Sequence, residues 1–123
     1  MPRMDANEIV QAYGSAWAET DEAKRRKILE SCWADGGMYV DPTGRADGRD
    51  AFVAHIGGFQ STFGGHRIDL TSGVDEHDGF LRFEWRMTDA SGATVLEGMD
   101  FGRLADDGRL ALICGFFGPF PSS

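Results

Sequence analysis

The chain has 123 residues and a mass of 13.4 kDa, which expects a single domain over 1–123 with room for a core and a pocket inside it. A formal net charge of -8 and a pI near 4.7 repel phosphate backbones, which argues against nucleic acid and anionic membranes as partners. No apolar run approaches the about 20 residues that span a bilayer, and Met1-Pro2-Arg3-Met4-Asp5-Ala6 lacks the apolar stretch of a secretory signal, so a cytoplasmic protein without a membrane partner is expected.

Asp5 followed by Glu8 has the form of a capping box, and Ile9, Tyr13 and Trp17 then recur every fourth residue. The spacing predicts an amphipathic helix over 6–18 with Tyr13 on its buried stripe. Thr20 or Asp21 can cap a second helix, with Ile28, Leu29, Cys32 and Trp33 facing inward and the basic run Lys24-Arg25-Arg26-Lys27 facing solvent. Asp35-Gly36-Gly37 reads as a turn, and Met38-Tyr39-Val40-Asp41 as a short strand stopped by Pro42, with Tyr39 and Asp41 on one face. A third helix starts near Gly48-Arg49-Asp50 and carries Phe52, Ile56, Phe59 and Phe63 along one stripe, with His55 beside it. Gly57-Gly58 within it is either a close-packing point or a break.

After Gly64-Gly65 the period changes to two. Ile68, Leu70, Ser72 and Val74 alternate with polar residues, as do Leu81, Phe83, Trp85 and Met87. Asp78-Gly79, Ser91-Gly92 and Asp107-Gly108 are hairpin signals, giving antiparallel strands near 66–75, 80–89, 93–104 and 109–117. The order of elements predicts an α+β domain, three N-terminal helices packed on one face of a curved, mostly antiparallel sheet. On the strand at 93–104, Asp100 shares a face with Gly98 and Gly102. Such glycines mark either the close approach of a ligand or backbone, or a bend of the sheet. The last strand, Leu110 to Phe117, is apolar on both faces, which predicts a homodimer packed sheet against sheet.

Tyr13, Asp41 and Asp100 are the candidate catalytic residues, because two carboxyl groups and a phenol in an apolar domain can move a proton on a hydrophobic substrate. Trp17, Tyr39, His55, Phe59, Phe83, Trp85, Met87 and Phe117 are the candidate substrate-binding residues. His55, His66 and His77 form no metal-ligand pattern, Cys32 and Cys114 read as small buried hydrophobes, and no glycine-rich phosphate loop is present, so neither a metal nor another cofactor is expected.

Helix, helix, a strand ending in Asp41-Pro42-Thr43-Gly44, a helix, and a meander ending in Gly115-Phe116-Phe117-Gly118 resemble the NTF2-like, or SnoaL-like, superfamily over essentially the whole chain. The resemblance implies a cone whose sheet and helices enclose a hydrophobic pocket. Within that superfamily the ketosteroid isomerase pattern is similar at three places: Gln11-Ala12-Tyr13, Asp41-Pro42-Thr43-Gly44 and Asp100-Phe101. It implies that Asp41 removes a proton next to a carbonyl while Tyr13 and a neutral Asp100 bind the enolate oxygen, as in an isomerase or a polyketide cyclase. Arg82 and Arg86 alternate away from Leu81, Phe83, Trp85 and Met87, so the arginine of an epoxide hydrolase site is missing. The remaining alternatives are a non-catalytic binding protein for a small hydrophobic ligand and an interaction module using the sheet.

Overall fold

The computed structural model describes residues 4–123; Met1, Pro2 and Arg3, part of the terminus read above as free of a secretory stretch, lie outside them. The elements follow as α1 (Ala6–Ala18), α2 (Glu22–Cys32), β1 (Trp33–Asp41), β2 (Gly44–Asp47), α3 (Arg49–Thr62), β3 (Arg67–Leu70), β4 (Asp75–His77), β5 (Phe80–Thr88), β6 (Thr94–Leu104) and β7 (Leu110–Phe117). They form one sheet in the order β2-β1-β7-β6-β5-β3, with β4 also on β5; β1 and β7 are parallel and the other pairs antiparallel. The expected α+β architecture, three helices against a large and mostly antiparallel sheet, is what forms. No helix among the described residues is long and apolar enough to cross a membrane.

Local chemistry explains the helix starts. Asp5 accepts the Glu8 N–H at 2.8 Å while the Glu8 carboxylate accepts the Asp5 N–H at 3.2 Å, so the capping box closes in both directions. Asp21, rather than Thr20, caps α2 by accepting the Lys24 N–H at 3.0 Å.

Four expectations are corrected. Arg25 does not face solvent: only 3% exposed, it lies on the buried stripe with Leu29 and Cys32. Its guanidinium donates to the carbonyls of Glu19, Thr20 and Val53 and to Gln60 Oε1 at 2.6–3.3 Å. A Cβ on Gly57 would come within 3.2 Å of that guanidinium, so Gly57 is a packing point in an unbroken helix. Asp35-Gly36-Gly37 is no turn but an irregular stretch of β1, where the register to β7 shifts between Trp33 and Met38. There the Trp33 indole folds back and donates to Gly37 O at 3.2 Å.

The strand expected over 66–75 is split into β3 and β4. At the gap the Ser72 hydroxyl, rather than a backbone carbonyl, accepts the Glu84 N–H at 2.8 Å, which interrupts the ladder. Finally, Cys32 is a buried core thiol as expected, but Cys114 is only half-buried, because it points away from the helices on the outer face of β7.

The core lies between the helices and the inner face of the sheet. Phe52 is its centre, with ring centroids 4.3 Å from Trp33 and 4.9 Å from Tyr39. Beyond this aromatic plug the two layers diverge and leave a cavity.

Candidate functional site

Strand alternation sends Phe83, Trp85 and Met87 of β5 and Leu96 of β6 into the same space that the α1 and α3 stripes face. The result is a mostly apolar cavity of about 690 Å³. Every candidate named from the sequence lines it: Tyr13, Asp41 and Asp100, and also Trp17, Tyr39, His55, Phe59, Phe83, Trp85, Met87 and Phe117. The sequence reading missed Thr43, His66, Ile68, Leu70 and Leu96. Ile68 and Leu70 could have been found, since they alternate in step with Met87 and Trp85, the residues they pair with on β5. His66 carried no such signal, because it precedes β3 in a loop.

Two carboxyl groups stand on either side of Gly115. A Cβ built on that glycine would meet Asp100 Oδ1 at 2.9 Å and Asp41 Cβ at 3.4 Å, so only a residue without a side chain leaves both acids room on the inner face. Asp41, at the end of β1, is held from both sides. Its Oδ1 accepts the backbone N–H and the hydroxyl of Thr43, each at 2.7 Å, and its Oδ2 accepts the Tyr39 phenol at 2.5 Å. The shared face read for Tyr39 and Asp41 is thus a direct bond. Burial, and then that bond, push the Tyr39 phenol far above its ordinary value, so Tyr39 keeps its proton and donates it to the bond.

Asp100 lies deeper and is 5% exposed. Its Oδ1 accepts the Trp85 indole N–H at 2.9 Å, while the Tyr13 hydroxyl donates to Oδ2 over a long 3.5 Å. Burial pushes the Asp100 carboxyl up to about 6; the Trp85 and Tyr13 bonds pull the other way, and the charge of Asp41 adds to the rise. Desolvation first, and then the charge of Asp100, raise the Tyr13 phenol well above its usual value. The Tyr13 ring lies nearly parallel to those of Trp33 and Phe52, with centroids at 5.9 and 6.1 Å.

The open choice about the glycines beside Asp100 is resolved at Gly98. A Cβ there would overlap both the Phe116 carbonyl oxygen and Cζ2 of the Trp85 indole, so the close neighbours are a backbone and a side chain of the protein itself. His55 sits against Tyr39 and Trp17, with centroids at 5.1 and 6.1 Å. No lysine or arginine lines the cavity among the described residues, and no cluster of metal-ligating side chains is present among them.

The model of the SnoaL-like domain matches residues 10–113, which contain all three candidate catalytic positions. The chain belongs to the SnoaL-like family. A protein of that family from Agrobacterium tumefaciens str. C58, provisionally described as an isomerase, is 34% identical, covers 91% of this chain and 96% of its own, and superposes with a TM-score of 0.87. An NTF2-like protein of unknown function from Exiguobacterium sp. 255-15 is 18% identical, with coverage of 91% and 99% and a TM-score of 0.72. A protein from Sinorhizobium meliloti, provisionally described as a polyketide cyclase, is 16% identical, with coverage of 94% and 99% and a TM-score of 0.71. The last two show the shared fold alone, the NTF2-like cone. Comparison with curated proteins returns no significant match.

Proposed function

We propose that this SnoaL-like protein binds a small hydrophobic carbonyl compound and moves a proton next to its carbonyl. The observation that carries the reading is the pair of carboxyl groups, Asp41 and Asp100, facing one apolar cavity across Gly115, each with its own phenol donor. Asp41 takes the proton, the C–H electron pair becomes the double bond of an enolate, and the carbonyl pair moves onto oxygen. Tyr13 and neutral Asp100 donate hydrogen bonds to that oxygen. Return of the proton to another carbon gives an isomer; attack of the enolate carbon on a second carbonyl closes a ring, and the proton held by Asp41 passes to the alkoxide formed there.

The lining also constrains the substrate. With two carboxyl groups and no lysine or arginine among the described residues that line it, the cavity favours neutral molecules over carboxylates and phosphates. The relative from Agrobacterium, provisionally described as an isomerase, supports the same class of chemistry.

The test is hydrogen–deuterium exchange at the carbon next to the carbonyl of cyclic ketones in the presence of the protein. Asp41→Asn is expected to keep ligand affinity while lowering exchange by about 10²–10⁴-fold, the usual size of a general-base contribution. Tight binding with no exchange in the wild type would instead support a binding protein, in which Asp41 serves only to hold the Thr43 backbone.

We also propose that the chain forms a homodimer through the outer face of the sheet. Phe80, Phe101 and Phe116 are 42%, 38% and 55% exposed there, and Phe80 stacks on Phe101 with centroids 6.0 Å apart. Ile113 and Phe117 face inward, to the core and the cavity, so contact with a partner falls to Leu112, Cys114 and Phe116 on β7.

A further inference from the structure

We infer that Trp85 is the positioning residue of Asp100: its indole holds Oδ1 and thereby assigns to Oδ2 the proton that faces the substrate. Its catalytic consequence rests on the proton-transfer reading above, but the positioning itself can be tested without turnover.

The argument starts from donor chemistry. An indole N–H donates and never accepts. The oxygen it contacts, Oδ1 at 2.9 Å, is therefore held as an acceptor in both protonation states of Asp100, a role that a carbonyl oxygen fills better than a hydroxyl oxygen, which favours the hydrogen of the neutral acid on Oδ2. Oδ2 is also the oxygen with the looser partner, the Tyr13 hydroxyl at 3.5 Å, so it retains capacity for a ligand.

The arrangement is built by neighbouring residues. Phe83 pairs with Asp100 and Trp85 with Gly98 across the β5–β6 ladder, so the indole starts one inner-face position away from the acid and must lie along β6 to reach it. Gly98 supplies the empty surface it lies on, and Gly115 the space into which Oδ1 turns. Phe117 closes the outside of the indole edge-on, with a centroid distance of 5.8 Å. A tryptophan that merely filled the cavity wall would need none of these.

The hydrogen bond also acts on the acid's charge. Burial disfavours the carboxylate and the indole favours it, so Trp85 keeps Asp100 within reach of ionisation rather than permanently protonated. The other titratable groups around Asp100 are Tyr13 from α1, Tyr39 and Asp41 from β1, and the Cys114 thiol on β7; α3 brings His55 to the same cavity. Tyr13 and Tyr39 hold their protons throughout the physiological range, because burial raises both phenols.

The experiment uses ¹⁵N-labelled full-length protein. The Trp85 indole N–H resonance, identified by its loss in Trp85→Phe, is followed from pH 4 to 8. It is expected to shift with a midpoint near 6, and Asp100→Asn is expected to remove that step. Carboxyl ¹³C titration of Trp85→Phe should place the Asp100 midpoint about one pH unit or more higher, since a donor to the anion has gone.

An indole resonance that ignores the Asp100 titration overturns the inference, as does an unmoved midpoint in Trp85→Phe. Should Trp85→Phe fail to fold, the wild-type and Asp100→Asn titrations decide the matter, with the indole signal identified by its titration. None of these readouts depends on activity, so absence of proton exchange would overturn the proposed function alone. Where exchange is found, Trp85→Phe should carry the high-pH limb of the rate profile upward by the same shift; a purely structural role would lower the rate without moving that limb.

Discussion

The Trp85 indole lies on Gly98, and the backbone of β6 is bare at that position so that the ring can reach Asp100. Gly98→Ala is expected to destabilise the fold by about 3 kcal/mol, near the upper end for overpacking. The new methyl would also meet the Phe116 carbonyl oxygen, which cannot rotate aside as a side chain does. Chemical denaturation measures the loss, and a displaced indole N–H resonance would show that the ring has left Asp100.

Asp100 gives the protein a pH-dependent stability with a defined sign. Its folded midpoint of about 6 lies above the ordinary carboxyl value of 3.8, so between those values the native state binds more protons than the unfolded chain. The stabilisation is full below the lower value and is lost as pH rises through the upper one. A two-unit difference corresponds to about 3 kcal/mol. Asp100→Asn can keep the acceptor for Trp85 but does not ionise. It is therefore expected to melt near the wild type at pH 4 and clearly above it at pH 7.5, as differential scanning calorimetry can record.

Arg25 is expected to be among the most sensitive polar positions in the chain. Arg25→Ala strips a donor from the Glu19, Thr20 and Val53 carbonyls and from Gln60 together, and should cost on the order of 3 kcal/mol in urea unfolding. Arg25→Lys should recover only a minor part, because a single ammonium cannot serve acceptors spread around a planar fork.

Light scattering at micromolar concentration should report twice the chain mass of 13.4 kDa. Phe116→Glu is expected to return the single-chain mass while leaving ligand affinity unchanged, since Phe116 is on the face opposite the cavity. A single-chain mass for the wild type would rule the dimer out.

The helices and the long strands were legible because their signals are local. Asp5 and Glu8 cap within one turn, and Phe83, Trp85 and Met87 alternate regardless of what they pair with. What escaped depends on partners distant in sequence. The split between β3 and β4 follows from Ser72 meeting Glu84, the irregular course of β1 from its register with β7, and the fate of Arg25 from carbonyls that α3 brings over it. Even so, the 25-29-32 spacing of α2 contained the buried stripe; the run of like charges concealed it. At the site, residue types and faces could be read, and Tyr13, Asp41 and Asp100 line one cavity. The bond from Trp85 could not, because it requires the space left by Gly98 on a neighbouring strand.

Frame and lining are encoded by different residues. Gln60 donates to the Trp17 and Glu19 carbonyls at 2.9 Å, and with Arg25 and Gly57 it fastens α3 to α2 and to the link after α1, yet none of the three touches the cavity. The spacing of the helical wall is thus held by polar joints behind it, while Trp17, Phe59 and Met87 set the shape of the space in front. Exchanging those lining residues would reshape the cavity while leaving the joints that hold the wall untouched, so the form of the space can change with few substitutions and without a change of frame.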